Sequence, residues 1–487
     1  MSLVLTLLLI LTAPLVEAKN LYVNNSGSPA CSNATTYANN DASNPWCLIG
    51  RAAWGSTNYA APNTGEAAQA GDVVLVTAGT YTETGNIAGG RWDVVLNPAN
   101  SGSSGNVITF RGVGAVYIRL ATTTLGPMIG CDSRNYIVWD HFIIDDTYGN
   151  SMYDTGPVVF HVANYCQLIN SEVLGHNDLL TYQAGHVTYT ANYPVIRLEA
   201  TTFITVKNNT IHRVHNRNTG SGGENDEGIQ TYDTDDAIIE HNEIYDCGQA
   251  IGVKGDSPAQ LRNIVRYNYI HGNGWGGIRV QVADDTLIHQ NVVVSSGRGL
   301  MNGHGVSNRS RFVNNTLYGN TYGVRPMNAD FVDAHFKNNI IIGGTYAIYD
   351  HNQANPSAHS MTFDRNFYNG ASSAHARYND DFGGVNISFA TWQGTYSEDT
   401  NGVNGTDPLF VNGGGSFALA TDFKLQGAST ALTLGRVVES IGGTNGDTIP
   451  AGAYITGNEE IGIETGATSN RRFSPAFLRR ASYEVEP

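Results

Sequence analysis

Between Thr201 and Asn366 one short phrase keeps returning: apolar, any, any, Asn, any, apolar. It reads VKNNTI around Asn209, IEHNEI around Asn242, VRYNYI around Asn268, IHQNVV around Asn291, FVNNTL around Asn315, FKNNII around Asn339 and FDRNFY around Asn366. The steps between these asparagines are 33, 26, 23, 24, 24 and 27 residues, the period of a solenoid coil with loops let out at some turns. A weaker copy, CQLINSEV around Asn170, extends the series upstream. Each repeat holds short β-branched runs separated by Gly, Asn and Asp, and no window offers an apolar face at helical spacing. Short strands that must stack on their neighbours predict an all-β parallel β-helix, with equivalent residues of successive coils about 4.8 Å apart. The asparagine then has an architectural task. Its amide hydrogen-bonds the coils above and below at a bend, satisfying backbone groups that the turn leaves unpaired.

A solenoid grows by adding coils, so 487 residues are expected to form one long domain. The 56 glycines and 14% charged residues suit a chain of tight turns and stacked strands. Residues 1–18 are an apolar run ending in Val-Glu-Ala and read as a signal peptide, so an extracellular or periplasmic protein starting at Lys19 is expected. No second apolar stretch is long enough to span a bilayer. In an exported chain the five cysteines predict a disulfide between Cys31 and Cys47, which bracket a polar loop, and buried thiols at Cys131, Cys166 and Cys247. The formal net charge of −16 argues against nucleic acid and against general attraction to acidic polymers. An acidic partner therefore requires a local cationic groove, or calcium held by carboxylates.

The entry region carries a Tyr22-Val23 strand, an apolar helix-like segment, and then AGDVVLVTAGTYTET from Ala70 to Thr84. This succession resembles the entry cap of secreted right-handed β-helix proteins, including pectate-lyase-like enzymes, where it covers the open apolar end of the stack. Thr406 to Gly435, with its Asp-Pro-Leu-Phe and Phe-Lys-Leu phrases, resembles the final coil segment of the same proteins. The resemblance implies a right-handed parallel β-helix over residues 19–457, with an N-terminal cap and C-terminal coils, followed by a polar tail over 458–487. Two insertions on adjacent coils, His176 to Pro194 and His212 to Gly228, are expected to build a cleft.

Aligning the coils on their asparagines brings IRLE from Ile196, IQTY from Ile229, IGVK from Ile251, IRVQ from Ile278, LMNG from Leu300, VRPM from Val324 and IYDH from Ile348 into register. Strand alternation sends the first and third residues inward and the second and fourth outward. One outward column reads Arg197, Gln230, Gly252, Arg279, Met301, Arg325, Tyr349; the other reads Glu199, Tyr232, Lys254, Gln281, Gly303, Met327, His351. Lys254, Arg279 and Tyr232 form the expected catalytic patch, with Gly252 leaving room beside the lysine. Arg197, Gln230, Gln281, Arg325 and His351 are the expected substrate contacts. Glu199, with Glu224, Asp226 and Glu227 from the entering loop, supplies hard oxygen ligands for an expected calcium ion.

Such a set suits β-elimination on a uronic-acid polymer: a cation neutralises the carboxylate, a base removes the adjacent proton, and an acid assists the departing oxygen. Lys254 is the expected base, its pKa lowered by Arg279 and desolvation, and Arg279 or Tyr232 the expected assistant. A lysine on one coil and an arginine on the next resembles the chondroitinase B and alginate lyase family, which implies a lysine base, an arginine acid and nearby calcium. That family's Asn-Glu-any-Glu phrase is replaced here by Tyr245-Asp246-Cys247-Gly248-Gln249. The ENDEGI phrase is similar to the acidic calcium coil of another pectate lyase family. Gly303-His304-Gly305 and Val324-Arg325 resemble phrases of polygalacturonases, whose chemistry needs two facing carboxylates. The coil that should supply them reads CGQAIGV, and the place of that family's lysine is Met327. The expectation is a secreted, monomeric polysaccharide lyase acting on alginate, pectate or a glycosaminoglycan. A polygalacturonase-like hydrolase, an epimerase and a non-catalytic carbohydrate-binding or adhesion protein are the alternatives.

Overall fold

The computed structural model describes residues 18–84, 92–121, 126–147, 155–175, 193–214, 226–256, 259–303, 305–326, 331–350, 360–378, 384–413, 418–438 and 447–463. The expected signal peptide, most of the two insertions, and the polar tail beyond 463 lie outside them.

Ten strands stack in parallel into one continuous sheet, in the order Ile129–Asp132, Val158–His161, Ile196–Glu199, Glu227–Tyr232, Gln249–Lys254, Gly276–Gln281, Arg298–Asn302, Tyr322–Arg325, Tyr346–Asp350 and Ala374–Tyr378. Val385–Ile387 closes its far edge antiparallel. Each coil adds two further strands to a second assembly wrapped around the same core. Thr205–Lys207, Ile238–Glu240, Ile264–Arg266 and Leu287–His289 form one stack of it, and Thr210–Val214, Glu243–Cys247, Tyr269–His271 and Val292–Val294 the next. Inside run aligned apolar columns such as Ile196, Ile229, Ile251, Ile278, Leu300, Val324 and Ile348, none of them exposed. The chain is an all-β parallel β-helix.

Two features of each coil fix its register. The ladder asparagines Asn209, Asn242, Asn268, Asn291, Asn315, Asn339 and Asn366 are all fully buried. In the first six the side-chain NH₂ donates to the Oδ1 of the next asparagine at 2.9–3.1 Å, and that Oδ1 also accepts the preceding asparagine's backbone N–H. The NH₂ also donates to a carbonyl one strand back, as Asn291 does to Val265 at 2.9 Å. Each amide is thereby saturated, which a buried polar group requires. The residue before each ladder position turns the corner in the left-handed region: Asn208, His241, Tyr267, Gln290, Asn314, Asn338 and Arg365 have φ of 53–58°. A non-glycine residue there costs about 1–2 kcal/mol, so the ladder bonds offset a strain repeated at every coil.

The ladder ends differ from the interior. Upstream, Ser171 and not Asn170 occupies the ladder slot: its N–H donates to Asn209 Oδ1, while Asn170 takes the left-handed corner and accepts from Asn208. The ladder slot of this coil therefore lies one residue after Asn170, at a serine that an asparagine pattern does not single out. Downstream, Asp399 caps the series, accepting from the N–H and NH₂ of Asn366 and from the Tyr368 hydroxyl.

The entry end is covered as expected. Ile49–Trp54 is a wholly buried helix against the first strands, Cys31 and Cys47 are joined, and Cys131, Cys166 and Cys247 are free and buried. The far end departs from expectation, because Thr406 to Gly435 adds no further coil with the three-strand pattern. From Phe410 the chain turns back and runs down the outside of the stack as a strap. Its apolar residues Phe410, Phe423, Ala431, Ala453, Tyr454 and Ile461 cover Tyr269, Val292, Ile340 and Phe367. Its backbone is held by the left-handed corner residues in descending order: Arg365 to Leu434, Asn338 to Arg436, Asn314 to Gly452, Gln290 to Ala453, and Tyr267 to Gly462. The outward faces of Val292, Ile340 and Phe367 left apolar surface that a further coil would not have covered. Docked chain thus extends past the expected boundary at Asn458.

Asn291→Ala removes the acceptor for two Asn268 donors and a donor to Val265 and Asn315. It is expected to cost roughly 2–5 kcal/mol in urea unfolding, and a cost below about 1 kcal/mol would contradict the ladder's role. Asp399 makes a pH prediction. Burial pushes its pKa from the ordinary 3.8 up to about 6, against the bonds from Asn366 and Tyr368. Its folded form holds an extra proton, so stability falls as pH rises from about 4 through about 6, by on the order of 3 kcal/mol. Asp399→Asn continues the ladder with a neutral amide, and its unfolding free energy should lose that slope.

Candidate functional site

The register of the ten-stranded stack reproduces the two expected columns: Arg197 lies beside Gln230, Gly252, Arg279, Met301 and Arg325, and Glu199 beside Tyr232, Lys254 and Gln281. A third column was not foreseen. Glu227, Gln249 and Gly276 are aligned, as are Arg298, Tyr322 and Tyr346, two residues before the aligned aliphatics. Between them stand small residues, Gly228, Ala250, Gly277, Gly299, Gly323 and Ala347, facing the core; a Cβ on Gly277 would lie 2.5 Å from Val293 and one on Gly323 2.4 Å from Ile341. Two consecutive inward positions break the simple alternation and return the residue before them to the outer face. Extending the alignment two residues upstream would have revealed Glu227, Arg298 and Tyr322 as wall residues.

Burial corrects several expectations. Arg279, expected as an exposed cation, is 2% exposed, and its guanidinium donates to Glu227, which is 0% exposed. Glu227 also accepts from Gln230, itself buried. Its carboxylate lies over Gly252, where a Cβ would fall 2.2 Å from Oε1. The space read as room beside Lys254 is therefore the seat of Glu227, which spans two coils to reach the arginine. Arg197 is likewise buried and bonded to Glu199 at 2.5 Å, with its guanidinium near the rings of Trp92 and Tyr232. Gln230 and Arg197 are thus structural partners of carboxylates, not exposed substrate contacts.

Of the four expected calcium ligands, three are described. Glu199 and Glu227 are each held by an arginine, Asp226 is buried, and Glu224 lies outside the described residues. Among the described residues no three His, Cys, Asp or Glu side chains converge as metal ligands. His351 and Met327 also lie outside the described residues, as does His304 of the Gly-His-Gly phrase.

Tyr232 keeps its place next to Lys254 but its hydroxyl donates to Asp256 at 2.7 Å. Burial, with Asp256 beside it, pushes its pKa up to about 12. Its single proton is committed to that carboxylate, so it serves as a wall for the lysine, whose Nζ lies 5.8 Å from the ring centroid. Lys254 is half-buried, and desolvation, helped by the charges of Arg279 and Arg197 and opposed by Glu227, holds its amine below the ordinary lysine range. Gln281 and Arg325 are partly exposed on the coils that follow. The arrangement places one titratable amine on a wall where Glu199 and Glu227 are each paired with an arginine and Asp256 accepts the Tyr232 hydroxyl.

Glu227→Ala would strand Arg279 as a buried cation and is expected to cost about 3–5 kcal/mol. The double change of Glu227 and Arg279 to Met should recover much of that loss in the same urea titration; a double variant no better than Glu227→Ala would contradict the pairing.

A family model described as right handed beta helix region matches residues 158–322 and 194–367. No curated protein matches the sequence. Similar solved structures include the A-module of a mannuronan C-5 epimerase from Azotobacter vinelandii, at 14% identity and a TM-score of 0.43, covering 63% of this chain and 82% of that one. Another is pectate lyase Pel9A, at 14% identity and 0.43, covering 90% and 96%. A third is a PL6 family polysaccharide lyase from Pseudopedobacter saltans, at 11% identity and 0.38, covering 69% and 87%. With its strands stacked in parallel and in register from Ile129 to Tyr378, and that model matching within residues 158–367, the chain has the right-handed parallel β-helix fold.

Proposed function

We propose that the protein is a secreted polysaccharide lyase that cleaves a uronic-acid polymer by β-elimination, with Lys254 as its proton-transfer group. The observation that carries this reading is the half-buried amine of Lys254, held below the ordinary lysine range on the outward wall of the helix. An amine whose pKa is lowered from the ordinary lysine value is better matched to proton abstraction from carbon.

Lys254 takes the proton from the carbon next to the sugar carboxylate. A carbon–carbon double bond forms as the bond to the glycosidic oxygen breaks, and the ammonium returns its proton to that oxygen, restoring the amine. One residue serves as base and then acid, since Arg279 is buried in its pair with Glu227 and the Tyr232 proton is held by Asp256. The charge developing next to the carboxylate is met by the ammonium as it forms. Glycoside hydrolysis would instead require two unpaired carboxylates facing one bond, whereas Glu199 and Glu227 on this wall are each engaged by an arginine.

The test is incubation with alginate, pectate and glycosaminoglycans while following absorbance of the unsaturated product. Lys254→Met is expected to lower kcat by roughly 10²–10⁴-fold, and the wild-type kcat/KM should rise with pH through an ionisation below that of free lysine. New reducing ends without unsaturation would indicate a hydrolase, and altered sugar configuration without chain cleavage an epimerase. Full activity in Lys254→Met would remove the proposed base.

A further inference from the structure

Three inward positions meet at the inner corner where each wall strand gives way to the next strand of its coil. The first holds Leu198, Thr231, Val253, Val280 and Asn302 in successive coils. The second pairs Gln260 with Ala283, whose N–H donates to the Ser307 hydroxyl at 3.3 Å, and Ser307 is followed by Phe331. The third, the residue before each strand of the second assembly, runs Ile204, Ala237, Asn263, Thr286 and Ser310. Over three coils this corner turns polar, and four of its side chains carry atoms with no hydrogen-bond partner among the described residues. These atoms are Gln260 Nε2, Thr286 Oγ1, Ser310 Oγ, and both Nδ2 and Oδ1 of Asn302. All four residues are 0–2% exposed. Asn263 shows the contrast, since its amide accepts the Ala237 N–H at 2.9 Å and donates to the Thr234 carbonyl at 2.7 Å. Gln260 is half used: its Oε1 accepts the Thr231 hydroxyl and the Thr234 N–H, each at 3.0 Å.

We infer that this corner is a binding site for ordered water, which bridges Gln260, Thr286, Asn302 and Ser310 inside the core. A buried amide left dry carries the full penalty of its lost hydration, and buried polar groups are paired with protein or with ordered water. The chemistry of the set selects the guest. Two amide NH₂ groups only donate, the Asn302 carbonyl only accepts, and the two hydroxyls do either, so the guest must both accept and donate. The amide hydrogens disfavour a cation and the carbonyl disfavours an anion, and no charged side chain stands at the three positions in these coils. Room comes from Ala283 and Ser307, small residues at the position that Gln260 fills one coil earlier and Phe331 one coil later. Coils advance by about 4.8 Å, so Gln260 and Asn302 stand roughly 10 Å apart, with Thr286 on the coil between. Two or three waters at ordinary hydrogen-bond lengths span that distance. The Thr231 hydroxyl that donates to Gln260 also accepts the Lys254 N–H at 3.3 Å. The hydrated corner therefore backs the strand end that carries Lys254, and it stands independently of the reaction assigned to the wall.

A crystal structure of the whole protein, resolving ordered water, tests the site directly. At least two waters are expected in the corner, within hydrogen-bond distance of the Asn302 amide and of Thr286, Ser310 or Gln260. A corner closed by direct bonds among these side chains, or one holding no water, would overturn the inference. Urea unfolding gives a second reading. Asn302→Val installs the residue that Val253 and Val280 place in the same column. It is expected to lower the urea midpoint by roughly 0.2–0.5 M, because it removes two bonds from waters that Thr286, Ser310 and Gln260 still need. A dry amide would be relieved by the same change, so a midpoint that stays or rises would contradict the site.

Discussion

The structure depends on a hydrogen bond repeated along its axis, the one by which each buried asparagine amide bonds to the next. In this ladder a donor and an acceptor of one side chain are spent on the coil above and the coil below. The bond is short-ranged and directional, so it fixes coil-to-coil register within a fraction of a residue. That precision matters because a one-residue slip sends every side chain of a strand to the opposite face. The left-handed residue before each asparagine makes the corner sharp, and the ladder holds the corner in place. The returning strap then bonds to those same corner residues from outside, so one edge of the helix is fixed from both sides.

From that register the outer wall follows. Equivalent positions of successive coils become neighbours, and residues far apart in sequence meet: Glu227 reaches Arg279 across the coil of Gly252, which has no side chain to obstruct it. The wall gains an internal electrostatic logic. Glu199 and Glu227 near Lys254 are each matched by an arginine, and the lysine loses hydration on the same wall. Desolvation lowers its pKa, with Arg279 and Arg197 adding to the effect and Glu227 and Asp256 opposing it.

Much of this was legible in the sequence, and for identifiable reasons. The asparagine spacing is visible because the ladder needs one residue type at one position. The aliphatic columns are visible because a coil core needs β-branched residues at a fixed offset from it. The sequence pattern placed Lys254 beside Tyr232 and Arg279 correctly in register. What was not legible were properties of pairs. Parity alone sends Arg279, Gln230 and Arg197 outward, and only knowledge of their carboxylate partners tells that they are buried there. The extra inward position at Gly228 and its equivalents hid the column of Glu227 and Arg298. Ser171 is hidden in the ladder because its hydroxyl accepts the Phe142 N–H at 3.2 Å as an asparagine would, without being an asparagine. The strap is not told from a coil by sequence, since its short apolar phrases have the same composition whether they stack at the end or along the side.

The claim that joins fold to chemistry is that ladder-set register places Lys254 on a partly dehydrated wall beside the Arg197–Glu199 and Glu227–Arg279 pairs. The chain has five lysines, Lys19, Lys207, Lys254, Lys337 and Lys424, so their ε-carbons can be resolved in a protein grown on labelled lysine. Titration of these signals by nuclear magnetic resonance, with the Lys254 signal identified by its loss in Lys254→Arg, measures the point directly. The account predicts that this amine loses its proton below the ordinary lysine range. A Lys254 signal that titrates at or above that range would contradict it.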